Sequence, residues 1–236
     1  MGQENEPVST CRLSATTTTA MIIYDKITQG SEEWERLRAG KITASRFSDI
    51  ITSVKGDLSK SARKYAIELV SQCYCPGFVG FFGTPYTDRG TELEPDARRA
   101  FTEHTGKAVE EVGFILRDDK IVGCSPDGMI RGADGQFCEG LELKVPAPKT
   151  HVEYILDGVL PDSYRQQCHG GLAVTGLDTW NFFSFSPGMR PFHCVVRRDE
   201  YTDKLSRALD DFIVLYNDLY QQAKPLLQPL EANTAD

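Results

Sequence analysis

Asp127, Glu142 and Lys144 are the residues of this chain whose types and spacing best suit chemistry. They lie in CSPDGMIRGADGQFCEGLELKVP, Cys124 to Pro146, where two acids and a base are separated by a glycine-rich turn. Two carboxylates on adjacent strands can converge on one hard cation, and magnesium takes oxygen ligands while keeping several waters. Glu142 and Lys144 are two apart on a strand, so their side chains share a face. That places an ammonium beside a metal-bound water, where it can stabilise the hydroxide that phosphodiester hydrolysis requires. Leu143 then points to the core, leaving its carbonyl available to an ion. The competing reading is an ordinary charged hairpin. Ile121, Val122, Leu141, Leu143 and Val145 argue instead for a buried sheet, where carboxylates need a reason to be.

The elements that must position these groups follow from periodicity. Phe47, Ile50, Ile51 and Val54 have helical spacing, which predicts an amphipathic helix with Thr43 or Ser45 near its cap. Ser59 is expected to cap a second helix, with Ala62, Tyr65, Ala66, Leu69, Val70 and Cys73 on one face. CPGFVGFFGTPYTDRG reads as a loop whose Phe78, Phe81 and Phe82 cover the core. A third helix is expected over 93–105, started or kinked by Pro95 and stopped by Gly106. The period then changes to that of strands at 109–116, 120–124, 128–131 and 137–145, with turns at Asp118-Asp119 and Ala133-Asp134-Gly135. Helices over 150–157 and 162–174, strands in TWNFFSFS and FHCVVRR, and a last helix over about 200–223 complete the series. The fold class is α/β: a central mixed β-sheet flanked by helices.

Composition narrows the partners. The chain has 236 residues, 40% hydrophobic and 25% charged, which suits one large domain at 21–224. The polar, Thr-rich segment 1–20 reads as a disordered tail without the pattern of a secretory signal, and 225–236 as a C-terminal tail. No apolar run is long enough for a membrane span. Seven cysteines without a CxxC pair suggest free thiols in a reducing, cytoplasmic compartment, most of them small buried hydrophobes. The net charge of −8 argues against a generic nucleic-acid coat. Residues 36–64 are the exception, with eight basic groups against two acids. Such a segment is either a local polyanion-binding face or a solvated helix surface.

CSPDG…LELKVP resembles the PD-(D/E)xK nuclease signature, and more narrowly that of phage lambda exonuclease and the YqaJ-like viral recombinases. The likeness extends to WERLRAGKITAS (Trp34 to Ser45), GTELEPDAR (Gly90 to Arg98) and SYRQQCHGGLAVTG (Ser163 to Gly176), in the family's order. The resemblance implies a restriction-endonuclease-like core. It also implies a Mg2+-dependent exonuclease, with a two-ion site and Mn2+ as a substitute. Such an enzyme digests one strand of linear double-stranded DNA from a 5′-phosphorylated end. Relatives form a homotrimer ring and pass the 3′ strand to a single-strand annealing protein of the Bet/RecT kind, here in the cytoplasm of a bacterial host. Carried over by motif, Asp127, Glu142, the Leu143 backbone carbonyl and Glu94 would hold metal. Lys144 would orient water, and Gln167, with Tyr164 as a further candidate, would line the site. Arg38, Ser45 and Ser125 would hold the 5′-phosphate.

Some positions depart from that pattern. His169 is a structural histidine or a contact to DNA or water, the first being favoured. Val145 stands where relatives carry Cys. The strand-separating residues of the 52–60 loop cannot be aligned. Two other readings stay open: another PD-(D/E)xK nuclease, an endonuclease or Cas4-like enzyme, whose iron–sulfur cysteine spacing this chain lacks; and a catalytically silent DNA-end-binding module. No helix-turn-helix or zinc-finger pattern is present.

Overall fold

Pro126 interrupts the chain between two strand-forming runs, and the sheet divides there. A proline has no N–H for a ladder, so pairing on either side is taken up by different partners. The structure, a computed structural model, describes residues 21–53, 55–75 and 85–227, with only the backbone described for 85–91. The first sheet has the order β1-β3-β4-β2, from Met21–Tyr24, Phe114–Arg117, Val122–Cys124 and Ile42–Thr43. Its β2 runs parallel to β4, and its other pairs are antiparallel. The second has the order β5-β6-β7-β8, from Gly128–Arg131, Phe137–Lys144, Thr179–Ser184 and Phe192–Arg197. There β6 and β7 are parallel, and the crossover between them is α4 (Pro148–Asp157) and α5 (Asp162–Thr175). The α/β class with flanking helices holds, but the single sheet expected from the sequence is two mixed four-stranded sheets.

The strand reading of 109–116 shortens to β3, preceded by a lone bridge between Glu110 and Met129. The expected helix after Ala44 is a 3-10 turn, Ala44–Asp49, and Thr43 makes no side-chain cap. Phe47, Ile50 and Ile51 are nevertheless fully buried, so the periodicity marked the right face. The β-branched run Ile50-Ile51-Thr52 disfavours helix, and Ile51 instead bridges Leu58. Helix α2 (Ala62–Tyr74) begins after Ser61, while Ser59 Oγ accepts from Ser61 N. Helix α3 runs Pro85–Thr105, so Pro95 lies inside it and does not start it; Gly106, with φ 70°, ends it as expected. The sequence reading missed α1 (Glu32–Arg38), capped by Ser31 accepting from Trp34 N at 3.2 Å. The last helix, α6, runs Glu200–Leu227, past the expected start of the tail. The 1–20 tail, Val54, and Phe78, Phe81 and Phe82 lie outside the described residues.

Two apolar clusters sandwich the second sheet. One unites α2, α5, α6 and the 3-10 turn; the other packs Ala97 and Phe101 of α3 on Leu141, Leu143 and Phe183. Trp180 is wedged between β6 and α5. A Cβ at Gly140 would stand 2.3 Å from its ring and one at Gly171 2.4 Å, so only glycine at both positions lets α5 lie this close to β6. That close approach brings Gln167, one turn before Gly171, over the Glu142 face. Among the described residues no helix is long and apolar enough to cross a membrane.

Candidate active site

Strand alternation puts Leu141 and Leu143 into the α3 cluster and turns Glu142 and Lys144 to the opposite face. Asp127 follows the Ser-Pro break. Its N–H donates to Leu141 O at 3.0 Å, and its Oδ2 accepts from Leu143 N at 2.6 Å. The Asp127 carboxylate is thereby pinned against the peptide that joins Glu142 to Leu143. Glu142 is only 2% exposed, and its Oε1 accepts from Lys144 Nζ. The ammonium also sits 5.2 Å from the centroid of the Tyr164 ring. Glu94, on α3, is held by Arg98 at 2.6 Å; the same guanidinium reaches Glu111 at 2.8 Å and donates to Asp127 O at 3.2 Å.

These acids share one poorly solvated volume. Burial pushes Glu142 up to about 8, with Asp127 and Glu94 adding to the shift and Lys144 opposing it. Burial likewise raises Asp127, and raises Glu94 with help from the Asp127 charge. For Lys144, burial disfavours the charge, but Glu142 and Asp127 more than reverse it and hold the ammonium charged. The acids outweigh the cations near them, a surplus that a hard divalent ion would relieve. Among the described residues no three or more His, Cys, Asp or Glu groups are spaced to close around an ion. Magnesium does not require such a cage; it is commonly held by one or two carboxylates with water and substrate phosphate. The all-oxygen donor set of Asp127, Glu142 and Glu94 fits it.

A cleft of about 280 Å³ opens beside Glu142, and Arg38, Ser45, Ser125 and Gln167 line it. Arg38 Nη1 donates to Ser125 Oγ at 2.9 Å, and Trp34 Nε1 donates to the same oxygen at 3.1 Å. The guanidinium lies 4.0 Å over the Trp34 ring. Among the described residues no carboxylate pairs with Arg38. Burial pulls its pKa down to about 10, because a guanidinium without a countercharge is costly to take out of water. Ser45 is exposed at the rim, 3.4 Å from Thr43 Oγ1.

The structure thus brings Arg38, Ser45, Ser125, Glu142 and Gln167 into one cleft, and ties Asp127, Lys144 and Glu94 to it through β6 and Arg98. His169 stands apart: buried, with Nδ1 2.8 Å from Thr202 Oγ1, it is structural. The basic segment is not one face. Arg36 pairs with Glu32, and Arg46 pairs with Asp49 and Glu68, leaving Lys55, Lys60, Arg63 and Lys64 exposed. Sequence reasoning missed Trp34, Arg98 and Trp180. Trp34 and Arg98 fall within the quoted motifs, but nothing local says which distant group each one holds.

The chain matches the YqaJ-like viral recombinase domain over residues 33–178, a span that runs from just before Trp34 to beyond Gln167 and leaves out only Trp180 of the residues named above for the cleft and its acids. It is similar to an alkaline exonuclease (LHK-Exo) from Laribacter hongkongensis, at 30% identity over 83% of this chain and 100% of that one. The TM-score is 0.65 for that structure and 0.66 for the same protein in complex with dAMP. A phage-related exonuclease from Haemophilus somnus 129PT shares the fold at 17% identity and a TM-score of 0.61, over 77% of this chain and 96% of that one. No curated protein sequence matches.

Proposed function

Because the chain belongs to the YqaJ-like viral recombinase domain family and is a deoxyribonuclease, we propose that it is a magnesium-dependent 5′-to-3′ exonuclease of linear double-stranded DNA. It digests one strand from a 5′-phosphorylated end and leaves a 3′ single strand for annealing-type recombination. The observation that carries this reading is the Arg38 guanidinium, without a carboxylate partner among the described residues and hydrogen-bonded to Ser125, in one cleft with buried Glu142.

Asp127, Glu142, the Leu143 carbonyl and Glu94 would hold one or two magnesium ions, for which manganese would substitute. When bound, the metal supplies charge neutralisation at phosphorus and a more acidic water. The chain's own residues do the rest. Arg38 and Ser125, with Ser45 at the rim, seat the terminal phosphate as a fork and hydroxyls. Trp34 fixes both by its N–H and its ring face, so they are set before DNA arrives. Lys144 holds its proton beside Glu142 and orients the water that attacks phosphorus. The P–O3′ bond breaks as the water oxygen bonds to phosphorus, solvent takes the water's proton and supplies one to the departing 3′ oxygen, and a 5′-mononucleotide is released. Gln167 borders the reacting group from α5.

An end without its phosphate leaves the half-buried Arg38 guanidinium without a countercharge, and that penalty sets the polarity. The exposed Lys55, Lys60, Arg63 and Lys64 suit the duplex backbone. A homotrimer ring around the duplex, and a single-strand annealing protein that receives the product strand, complete the proposal.

The test compares linear duplexes with 5′-phosphate and 5′-hydroxyl ends, in magnesium and in chelator, for the wild type and Lys144→Ala. Expected is magnesium-dependent loss of the phosphorylated strand, slower on hydroxyl ends and absent in Lys144→Ala. Cutting of closed circles would point to an endonuclease, and no cleavage in any condition to a silent end-binding module.

A further inference from the structure

Thr28 to Ser31 form a tight turn. Ser31 N donates to Thr28 O at 3.1 Å, and Gly30, third in the turn, has φ 80°, as a type II turn requires. Gln29 stands at the corner, and Ser31 then caps α1, the helix that carries Trp34 and Arg38. One short stretch of chain thus sends three long side chains to the break between the two sheets. Arg38 donates to Ser125 Oγ, and Trp34 Nε1 shares its hydrogen between Ser125 Oγ at 3.1 Å and Gly113 O at 3.0 Å. Gln29 Nε2 donates to Val112 O at 2.9 Å and to Pro126 O at 2.8 Å. Trp34 and Gln29 therefore tie 112–113 to 125–126 side by side. The close approach depends on glycine: a Cβ at Gly113 would stand 2.1 Å from Ile27 O.

Gln29 is exposed, yet its amide is fully used. Both acceptors are backbone carbonyls, so the NH2 group faces them with one hydrogen for each. Pro126 O belongs to the peptide whose N–H is that of Asp127, and this N–H donates to Leu141 O at 3.0 Å. In a trans peptide the two groups point opposite ways. Gln29 holds one side and β6 the other, so the plane of the peptide is fixed, and with it the direction in which Asp127 leaves the backbone. Arg38 and Trp34 hold only Ser125, on the near side of Pro126. They seat the clamp for a terminal phosphate, but they do not set its distance from the acid two residues on. A strand digested one nucleotide at a time needs that distance, because the terminal phosphate and the next one must reach their sites together.

We propose that Gln29 is a positioning residue for the reaction: by holding the Pro126–Asp127 peptide it sets the offset between the phosphate clamp at Ser125 and the carboxylate of Asp127. The inference rests on the exonuclease reading given above.

Two variants remove the donors: Gln29→Ala, and Gln29→Glu, which keeps the shape but cannot donate to either carbonyl at neutral pH. The replaced side chain is exposed, so both should fold, and melting curves set an assay temperature well below the lower midpoint. On 5′-phosphorylated duplex in magnesium, kcat should fall about tenfold with KM unchanged, since the clamp still binds the end. On 5′-hydroxyl ends, where no terminal phosphate fixes the register, the loss should be smaller. Manganese binding to the DNA-free protein, followed by the EPR signal of the free ion, should weaken about tenfold as well. A tie that only braces the fold would lower the melting temperature and move neither quantity. A kcat or a manganese affinity equal to that of the wild type overturns the inference. So does a loss that falls equally on both kinds of end with KM raised. A wild type that digests neither end sinks the exonuclease reading itself, and the inference with it.

Discussion

On one face of β6, Glu142 is buried beside Asp127 and Glu94, with Lys144 as its cation; on the other, Glu139 takes two bonds from Lys107 and one from Asn181. The first acid is pushed up to about 8 by burial and by its acidic neighbours. The second is fully partnered. Both are glutamates on one strand, three residues apart, yet only one is held where its charge is unfavourable. A buried acid whose neighbouring acids outnumber its cation is kept against the physics of desolvation when it serves something outside the chain. A matched one is kept because it ties elements together.

This contrast can be broken by substitution. The largest effect is expected from Glu142→Gln, which keeps the shape and removes the charge. Cleavage rates should fall by about a thousandfold or more, with the melting temperature close to wild type, since relief of a buried carboxylate offsets the ion pair that Lys144 loses while Asp127 still faces the ammonium. Single-turnover cleavage and thermal melting together read both. Next, Glu139→Ala should do the reverse. It leaves Lys107 and Asn181 without their acceptor, costs about 1–2 kcal/mol in denaturant unfolding, and leaves the cleavage rate close to wild type. If Glu139→Ala abolished cleavage without destabilising the chain, the two faces would not differ as described.

Arg38→Lys sharpens the clamp reading. It keeps the charge and loses the fork, so the preference for 5′-phosphate over 5′-hydroxyl ends should shrink about tenfold, measured as a ratio of initial rates. The smallest effect concerns pH. Burial lowers the pKa of His193 and of His169 in the folded state. A group with a depressed folded pKa contributes stability above its unfolded value, near 6.5, and loses it as pH falls through the folded one. Glu142, Asp127 and Glu94, raised in the folded state, act in the opposite sense in wild type and in His169→Gln alike, so the histidine contribution is read as a difference: on acidification below about pH 6.5 the melting temperature of His169→Gln should rise relative to that of the wild type.

Local reading went furthest where backbone period decides the outcome. The strand Phe137–Lys144, the stop at Gly106 and the burial of Phe47, Ile50 and Ile51 all follow from spacing or from one residue's conformational freedom. It failed where neighbours overrode propensity. The run after Ala44 had helical spacing but became a 3-10 turn and a bridge to Leu58, and Ser-Pro-Asp split one expected sheet into two.

The candidate site divides in the same way. By itself, the sequence determined that Glu142 and Lys144 share a face opposite Leu143, because alternation along a strand is a property of the backbone alone. Its motifs also named Asp127, Glu94, Gln167 and the Arg38, Ser45 and Ser125 set. Only the tertiary structure decided what each one meets. Arg38 reaches Ser125 across 87 residues, and Trp34 reaches it across 91. Arg46, the equal of Arg38 in composition, is bound instead to Asp49 and Glu68. Spacing fixes direction over a few residues, but partners at such separations are chosen by how whole elements pack, here by two glycines that let α5 settle onto β6 around Trp180.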